Sequence, residues 1–163
     1  MTPKVIGQNI FNKAQSHLGE AETPPGSNWS ERIKIYLGYV GLEAPDAWCA
    51  AFASWCVGLT LQGMHITPKS ICRTASSHEA VNFGLRNHTI QTAASCVTGD
   101  LCILKGGDGE KADNGLSYHH TTLVNYTDKD GTCYWLGGNT NNKVATGSSE
   151  AGTYTLLRPY ILS

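Results

Sequence analysis

One cysteine stands where its neighbours along the chain could activate it. Cys49 follows a segment with Gly41 and Pro45, which favour a bend, and it precedes an apolar run that can continue as a helix to about Gln62, where Gly63 ends it. The thiol would then lie in the first turn of a buried helix, where free N–H groups and the helix dipole favour a negative charge. We expect this position to lower the pKa of the thiol and to yield the nucleophilic thiolate.

A cysteine nucleophile also needs a base, and that base needs a third group to hold its tautomer. His119 and His120 begin a predicted strand directly after a loop rich in Gly, Asp and Asn, and the next hairpin strand ends at Asn139. Pairing of the two strands would return the Asn139 amide towards the histidines. The order of residues therefore allows Cys49 as nucleophile, His120 as acid and base, and Asn139 as the orienting group, with His119 as the alternative base.

The remaining pattern predicts helices first and strands afterwards. Apolar residues recur at helical spacing from Val5 to Leu18, Ser30 can cap a second helix, and Ser76 can open a short helix that Gly84 ends. The predicted strands are Leu101–Ile103, His119–Tyr126, Thr132–Leu136 and Thr153–Leu157, with a turn at Asp128–Gly131 and loops at Lys105–Ser117 and Asn139–Asn142. This order predicts one α+β domain over residues 1–163, with N-terminal helices packed on a C-terminal antiparallel sheet.

Composition excludes several classes of function. The 163 residues carry a net charge of −1 and contain no cluster of Lys and Arg, which argues against nucleic-acid binding by phosphate neutralisation. No apolar run approaches the length of a membrane span, so we expect no membrane insertion. The first residues lack the apolar stretch of a secretory signal, so we expect synthesis in a cytoplasm and export, if any, without a cleaved signal.

The six cysteines contain no C-x-x-C pair, and the chain has no H-E-x-x-H motif, so a zinc site has little support. We predict neither a metal nor a cofactor. Most of the six cysteines are interpreted as small buried hydrophobic residues. Spacing fixes no disulfide pairing among the other five, Cys56, Cys72, Cys96, Cys102 and Cys133.

Four motifs, taken in order, resemble the CHAP and NlpC-type cysteine peptidases, which are papain-like enzymes of cell-wall breakdown. The motifs are Asp46–Phe52 (DAWCAAF), Gly99–Leu101 (GDL), His120–Val124 (HTTLV) and Gly137–Asn139 (GGN). The similarity extends from about Ala14 to Pro159. It implies a papain-like fold, hydrolysis of amide bonds in peptidoglycan, and catalytic roles for Cys49, His120 and Asn139.

The chain departs from this family at two points. Tyr118 and His119 precede His120 where the family usually has a small residue, and two threonines follow where the family has Val-Gly. The choice between the two histidines therefore stays open, and we favour His120. CHAP members often carry a glutamate two residues before the asparagine, where Gly137 stands here.

Further residues are candidates for the oxyanion hole or the substrate groove. The backbone N–H of Cys49 would hold a developing oxyanion, because first-turn N–H groups have no helical partner. Tyr36 or Tyr39 could supply a second donor, although a core or groove-wall position is the favoured interpretation of each. Trp48 could line the groove, and Glu22 could touch substrate at the rim or cap a loop.

The leading hypothesis is a monomeric cysteine amidase or endopeptidase that acts on peptidoglycan stem peptides. It would reach the wall as a phage endolysin after lysis, or as a secreted antibacterial effector with a cognate immunity protein. The alternatives are a non-catalytic wall-binding module, or a thiol acyltransferase or deamidase on the same fold.

Overall fold

The computed structural model describes all 163 residues and contains four helices. They are α1 (Pro3–Gln15), α2 (Glu31–Tyr39), α3 (Cys49–Gly63) and α4 (Ser77–Asn87). Helices α1, α2 and α4 each follow a hydroxyl residue whose side chain accepts a first-turn N–H; these caps are Thr2, Ser30 and Ser76. Each cap of this kind stabilises a helix by about 1 kcal/mol. Helix α3 follows Trp48 instead, and no side chain caps it.

A six-stranded antiparallel sheet forms the second layer. Its strands are β2 (Ile90–Gln91), β3 (Leu101–Lys105), β4 (Tyr118–Thr127), β5 (Cys133–Thr140), β6 (Lys143–Ser149) and β7 (Tyr154–Leu157), in the spatial order β2-β7-β3-β4-β5-β6. A separate two-stranded ribbon joins β1 (Ser70–Ile71) to β8 (Tyr160–Ile161). Helices packed on an antiparallel sheet confirm the predicted α+β class.

The core lies on both faces of this sheet. The main cluster of 27 buried residues joins the helices to residues such as Leu123 of β4 and Leu136 of β5. Helix α3 is apolar on all sides and buries 12 of its 15 residues, so it is the central element of this layer. A smaller cluster around Val124 and Trp135 covers the opposite face, because successive strand residues point to opposite sides. None of the helices has the length and apolarity required to cross a bilayer.

The Gly99-Asp100 motif has a structural explanation. Gly99 has a φ of +88° and lies against Gly7 of α1, an approach that no side chain would permit. Asp100 is buried, accepts the Val97 N–H at 2.8 Å and forms a two-point ion pair with Arg158 at 3.1 Å. Burial raises the pKa of Asp100, and the hydrogen-bonded Arg158 opposes that shift. The motif therefore fastens the start of β3 to α1 and to the C-terminal segment.

All six cysteines are free thiols, so no disulfide contributes to stability. Cys56, Cys72, Cys102 and Cys133 are buried, as expected for small hydrophobic residues, whereas Cys96 is partly exposed.

Strand β6 is missing from the sequence prediction, which treats residues 139–142 as a loop. Thr140 instead pairs with Lys143, and Asn141 and Asn142 form the two-residue turn between them with φ values of 51° and 67°. Consecutive residues with positive φ are the signature of a type I′ hairpin, which asparagine tolerates. The Asn-Asn pair was therefore a local signal for this hairpin.

The predicted end of α4 at Gly84 is wrong, because the helix continues to Asn87. A Cβ at Gly84 would lie 2.7 Å from Ile90 Cδ1 and 3.0 Å from Leu157 Cβ. The glycine thus lets α4 pack closely on β2 and β7, and it does not stop the helix.

We expect Gly84→Ala to lower the free energy of unfolding by about 1–3 kcal/mol, because the added methyl overpacks the α4–sheet contact. Gly38→Ala in α2 is the matched control. Its Cβ would meet nothing within 4 Å, so it should stabilise the helix by up to about 1 kcal/mol. Urea unfolding of both variants measures the difference, and equal stabilisation by both would contradict this role for Gly84.

Candidate active site

The first turn of α3 leaves its backbone N–H groups free beside the thiol. Phe52 N–H is the first to bond within this helix, to Trp48 O at 2.9 Å. The N–H groups of Cys49, Ala50 and Ala51 therefore lack helical partners. Those of Cys49 and Ala50 lie at the Cys49 sulfur, so this helix end presents its donors to the reactive atom.

The Cys49 thiol is almost enclosed, with 7% of the residue exposed. Its sulfur lies 4.0 Å from Ser77 Oγ and beside the backbone of Thr121 in β4. Burial raises the pKa of this thiol, and hydrogen bonds from Thr121, Ser77, Ala50 and Cys49 itself oppose the rise. The predicted lowering of the pKa is wrong in direction, because loss of hydration outweighs the donors at the helix end.

His120 directly precedes Thr121 in β4, and their side chains point to opposite faces of the sheet. Thr121 lies on the side of Ser77 and the Cys49 sulfur, whereas the imidazole lies on the side of Trp135. Its Nε2 atom lies 3.0 Å from Thr140 Oγ1, and the Thr140 hydroxyl donates to Gly137 O at 3.0 Å. That hydroxyl has only one hydrogen, so when it is given to Gly137 O, Nε2 is the donor to Thr140. The neutral ring then carries its free lone pair on Nδ1, the atom that can accept a proton.

The surroundings of His120 keep its ring neutral at neutral pH. The Trp135 ring packs against the imidazole edge-on, with centroids 5.6 Å apart. Burial, followed by the charge of neighbouring His119, lowers the pKa of His120 to about 4. A neutral imidazole is the form required of a general base.

The side chain that contacts the His120 imidazole belongs to Thr140 and not to Asn139, the residue predicted to orient it. Asn139 has a φ of 52° at a β-bulge between Gly137 and Thr140, and it is Thr140 that hydrogen-bonds His120. His119 is exposed, and its ring lies against Gly106 in the preceding loop. Neither histidine forms a hydrogen bond with Cys49, whose one side-chain partner is Ser77.

Close packing on both sides of β5 explains the Gly137-Gly138 pair. A Cβ at Gly138 would lie 2.8 Å from both Phe52 Cβ and the Trp48 ring, and one at Gly137 would lie 3.3 Å from His120 Nε2. Helix α3 thus approaches one side of β5 and the imidazole approaches the other. Two consecutive glycines allow both contacts at the same point of the strand.

Tyr36, Trp48 and Glu22 form a buried support and line no groove, which agrees with the core interpretation of Tyr36 and with the loop-capping interpretation of Glu22. Tyr36 and Trp48 have no exposed surface, and Glu22 is 4% exposed. Glu22 accepts the Trp48 Nε1–H at 2.9 Å and the Asn28 N–H at 3.0 Å, while the Tyr36 ring stacks on Trp48. These contacts fix Trp48, and with it the start of α3.

Cys49 lines none of five surface cavities of the protein. The largest of these, about 660 Å³, lies between α1, the segment that precedes β3 and the end of β4. No group of three or more His, Cys, Asp or Glu side chains is arranged to hold a metal ion.

Comparison with known proteins supports the fold. No protein-family model and no curated protein matches the chain. Among solved structures, it is similar to two variants of RipA, the resuscitation promoting factor interacting protein. The variant altered at a glutamate gives a TM-score of 0.53 at 14% identity, over 99% of this chain and 67% of RipA. The variant altered at a cysteine gives 0.49 at 15% identity, over 98% and 67%. The first of these confirms the expected NlpC-type fold, and at this identity the likeness concerns the fold alone.

The Glu22 carboxylate should be necessary for stability, because it accepts two buried N–H groups at once. We expect Glu22→Gln to lower the free energy of unfolding by about 1–3 kcal/mol, since the amide oxygen cannot serve both donors in the same geometry. Glu20→Gln, a nearby and more exposed position, is the control. Chemical denaturation monitored by tryptophan fluorescence checks this, and equal stability of the two variants would contradict it.

The pKa of His120 predicts acid sensitivity. A histidine with a pKa of about 4 when folded and about 6.5 when unfolded binds protons more readily in the unfolded chain. Its contribution to stability is complete above about pH 6.5 and is lost as the pH falls towards 4.

The free energy of unfolding should therefore fall less between pH 7 and pH 4 in His120→Gln than in the wild type. His119→Gln, an exposed neighbour, should keep the wild-type slope. Urea unfolding at a series of pH values measures these slopes, and the same slope in all three proteins would show that His120 is not buried as described.

Proposed function

We propose that this protein is a cysteine hydrolase that cleaves amide bonds in peptidoglycan stem peptides, with Cys49 as nucleophile and His120 as acid and base. One observation carries the proposal: the thiol occupies the one helix N-terminus without a side-chain cap, beside the strand residue that follows His120. The sequence resemblance to CHAP and NlpC-type peptidases supplies the substrate class.

The first chemical step would be a proton transfer within a neutral pair. His120 Nδ1 accepts the proton of Cys49 Sγ while the sulfur attacks the carbonyl carbon of the scissile amide. This step requires the imidazole to reach the sulfur, because in the free protein the His120 ring packs against Trp135 and Thr140 and forms no hydrogen bond with Cys49. The oxyanion that forms accepts hydrogen bonds from the free N–H groups at the start of α3.

The second half of the reaction would return the enzyme to its starting state. The imidazolium of His120 donates its Nδ1 proton to the leaving amine, and the C–N bond breaks to leave a thioester on Cys49. Water then loses a proton to Nδ1 and attacks the thioester carbon, and Cys49 departs as the thiol after the proton returns. In the free protein Thr140 and Trp135 would orient the ring, with Thr140 in the place first assigned to Asn139.

We propose that the enzyme meets its substrate at the cell wall, as an endolysin released at lysis or as a secreted effector. The effector setting would require an immunity protein as a further partner. In both settings a monomer suffices, since the nucleophile and the base are carried by one chain.

Incubation of purified sacculi with wild type and Cys49→Ala, followed by mass analysis of soluble fragments, tests the proposal. We expect wild type to release stem-peptide fragments, and Cys49→Ala to lower the release about 10³-fold or more, because the nucleophile is lost. Cys56→Ala, which alters a buried thiol two turns further along α3, is the matched control and should retain release.

Two outcomes would refute the hydrolase. No release by the wild type, or equal release by Cys49→Ala, removes the nucleophilic role. Undiminished co-sedimentation of Cys49→Ala with sacculi and no release by any variant would favour the non-catalytic wall-binding module. A comparison of His120→Ala, expected to be inactive, with His119→Ala, expected to be active, decides between the two histidines.

A further inference from the structure

Two helices begin at the Cys49 sulfur. Cys49 is the first residue of α3 and Ser77 is the first residue of α4, and their side chains meet with Ser77 Oγ 4.0 Å from Sγ. Ser77 Oγ also lies 2.7 Å from Thr121 Oγ1. We infer that Ser77 is the side-chain hydrogen-bond donor that stabilises Cys49 as an anion when the sulfur gives up its proton. This inference rests on the proposed nucleophilic role of Cys49.

The hydrogen-bonding capacity of Ser77 suits this role. A serine hydroxyl has one hydrogen and two acceptor lone pairs. Ser77 Oγ is the only side-chain partner of Thr121 Oγ1, so Thr121 can donate to Ser77 across the 2.7 Å contact. The Ser77 hydrogen is then free to point at the sulfur, and the donors act in series from Thr121 through Ser77 to Cys49. Such chains polarise one another and strengthen the terminal bond.

The surroundings of the sulfur leave few other ways to stabilise the anion. Burial raises the pKa of the thiol, and every group that opposes this rise is a neutral donor: three backbone N–H groups, at Cys49, Ala50 and Thr121, and the Ser77 hydroxyl. No cationic side chain is among them. Ser77 is therefore the one donor at the sulfur that a substitution can remove without changing the backbone.

The adjacent serine, Ser76, caps the helix and does not contact the thiol, so helix stability and thiol reactivity can be tested separately. Ser76 caps α4 by accepting the Glu79 N–H at 3.2 Å, and it also contacts His78. Ser77 takes no part in that cap. At this helix end Ser76 therefore stabilises the helix, whereas Ser77 faces the thiol.

Alkylation of Cys49 by iodoacetamide over a range of pH tests the inference, with the modified peptide identified by mass spectrometry. We expect Ser77→Ala to raise the apparent pKa of Cys49 by about one unit, which corresponds to about tenfold slower alkylation near neutral pH. Ser77→Thr, which keeps the hydroxyl, should restore most of the rate. Ser76→Ala should lower the melting temperature and leave the pH profile of alkylation unchanged.

An unchanged pH profile in Ser77→Ala, or an equal shift in Ser76→Ala, would overturn the inference. Because alkylation needs no peptidoglycan, its outcome is separate from that of the proposed function. A shifted profile in a protein that releases nothing from sacculi would retain the role of Ser77 at the thiol and reject the hydrolase. Release by wild type with an unshifted Ser77→Ala profile would retain the hydrolase and reject the role of Ser77.

Discussion

The free N–H groups at the start of α3 are the feature on which the candidate site depends. The other three helices satisfy such groups with hydroxyl caps, whereas α3 begins with Trp48 and Cys49 and leaves them to the sulfur. An uncapped helix end in a buried position is stable only if other contacts hold it, since each orphan donor carries a desolvation cost. The Glu22–Trp48 hydrogen bond and the burial of α3 on all sides supply those contacts.

The sheet packs against this helix end through a segment of β5 that consists of two glycines. At Gly137 and Gly138 the backbone of β5 has Trp48 and Phe52, at the start of α3, on one side and the imidazole of His120 on the other. The adjoining residue of β4, Thr121, reaches the sulfur through its backbone. Helix, strand and imidazole are therefore held together by close backbone approach, which side chains on β5 would prevent.

The electrostatics of the site follow from the same close packing. Both the thiol and the imidazole are shifted towards their neutral forms, because burial penalises charge on each. A permanent thiolate–imidazolium pair, which a helix N-terminus alone would favour, is costly in such a setting unless hydrogen bonds satisfy both ions. Neutral donors around the sulfur suit a charge that would exist only transiently, as the proposed reaction requires.

The sequence by itself determined the features that depend on near neighbours in the chain. The start of α3 at Cys49, the caps Ser30 and Ser76 and the hairpin turn at Asp128–Gly131 all follow from local backbone chemistry, and together they imply the α+β order. Only the tertiary structure decided that Thr140 and not Asn139 bonds His120, that Glu22 is buried beneath Trp48, and that the thiol pKa is raised. Those outcomes depend on a bulge, on packing and on desolvation, and each is set by atoms far apart in the sequence whose approach no local pattern encodes.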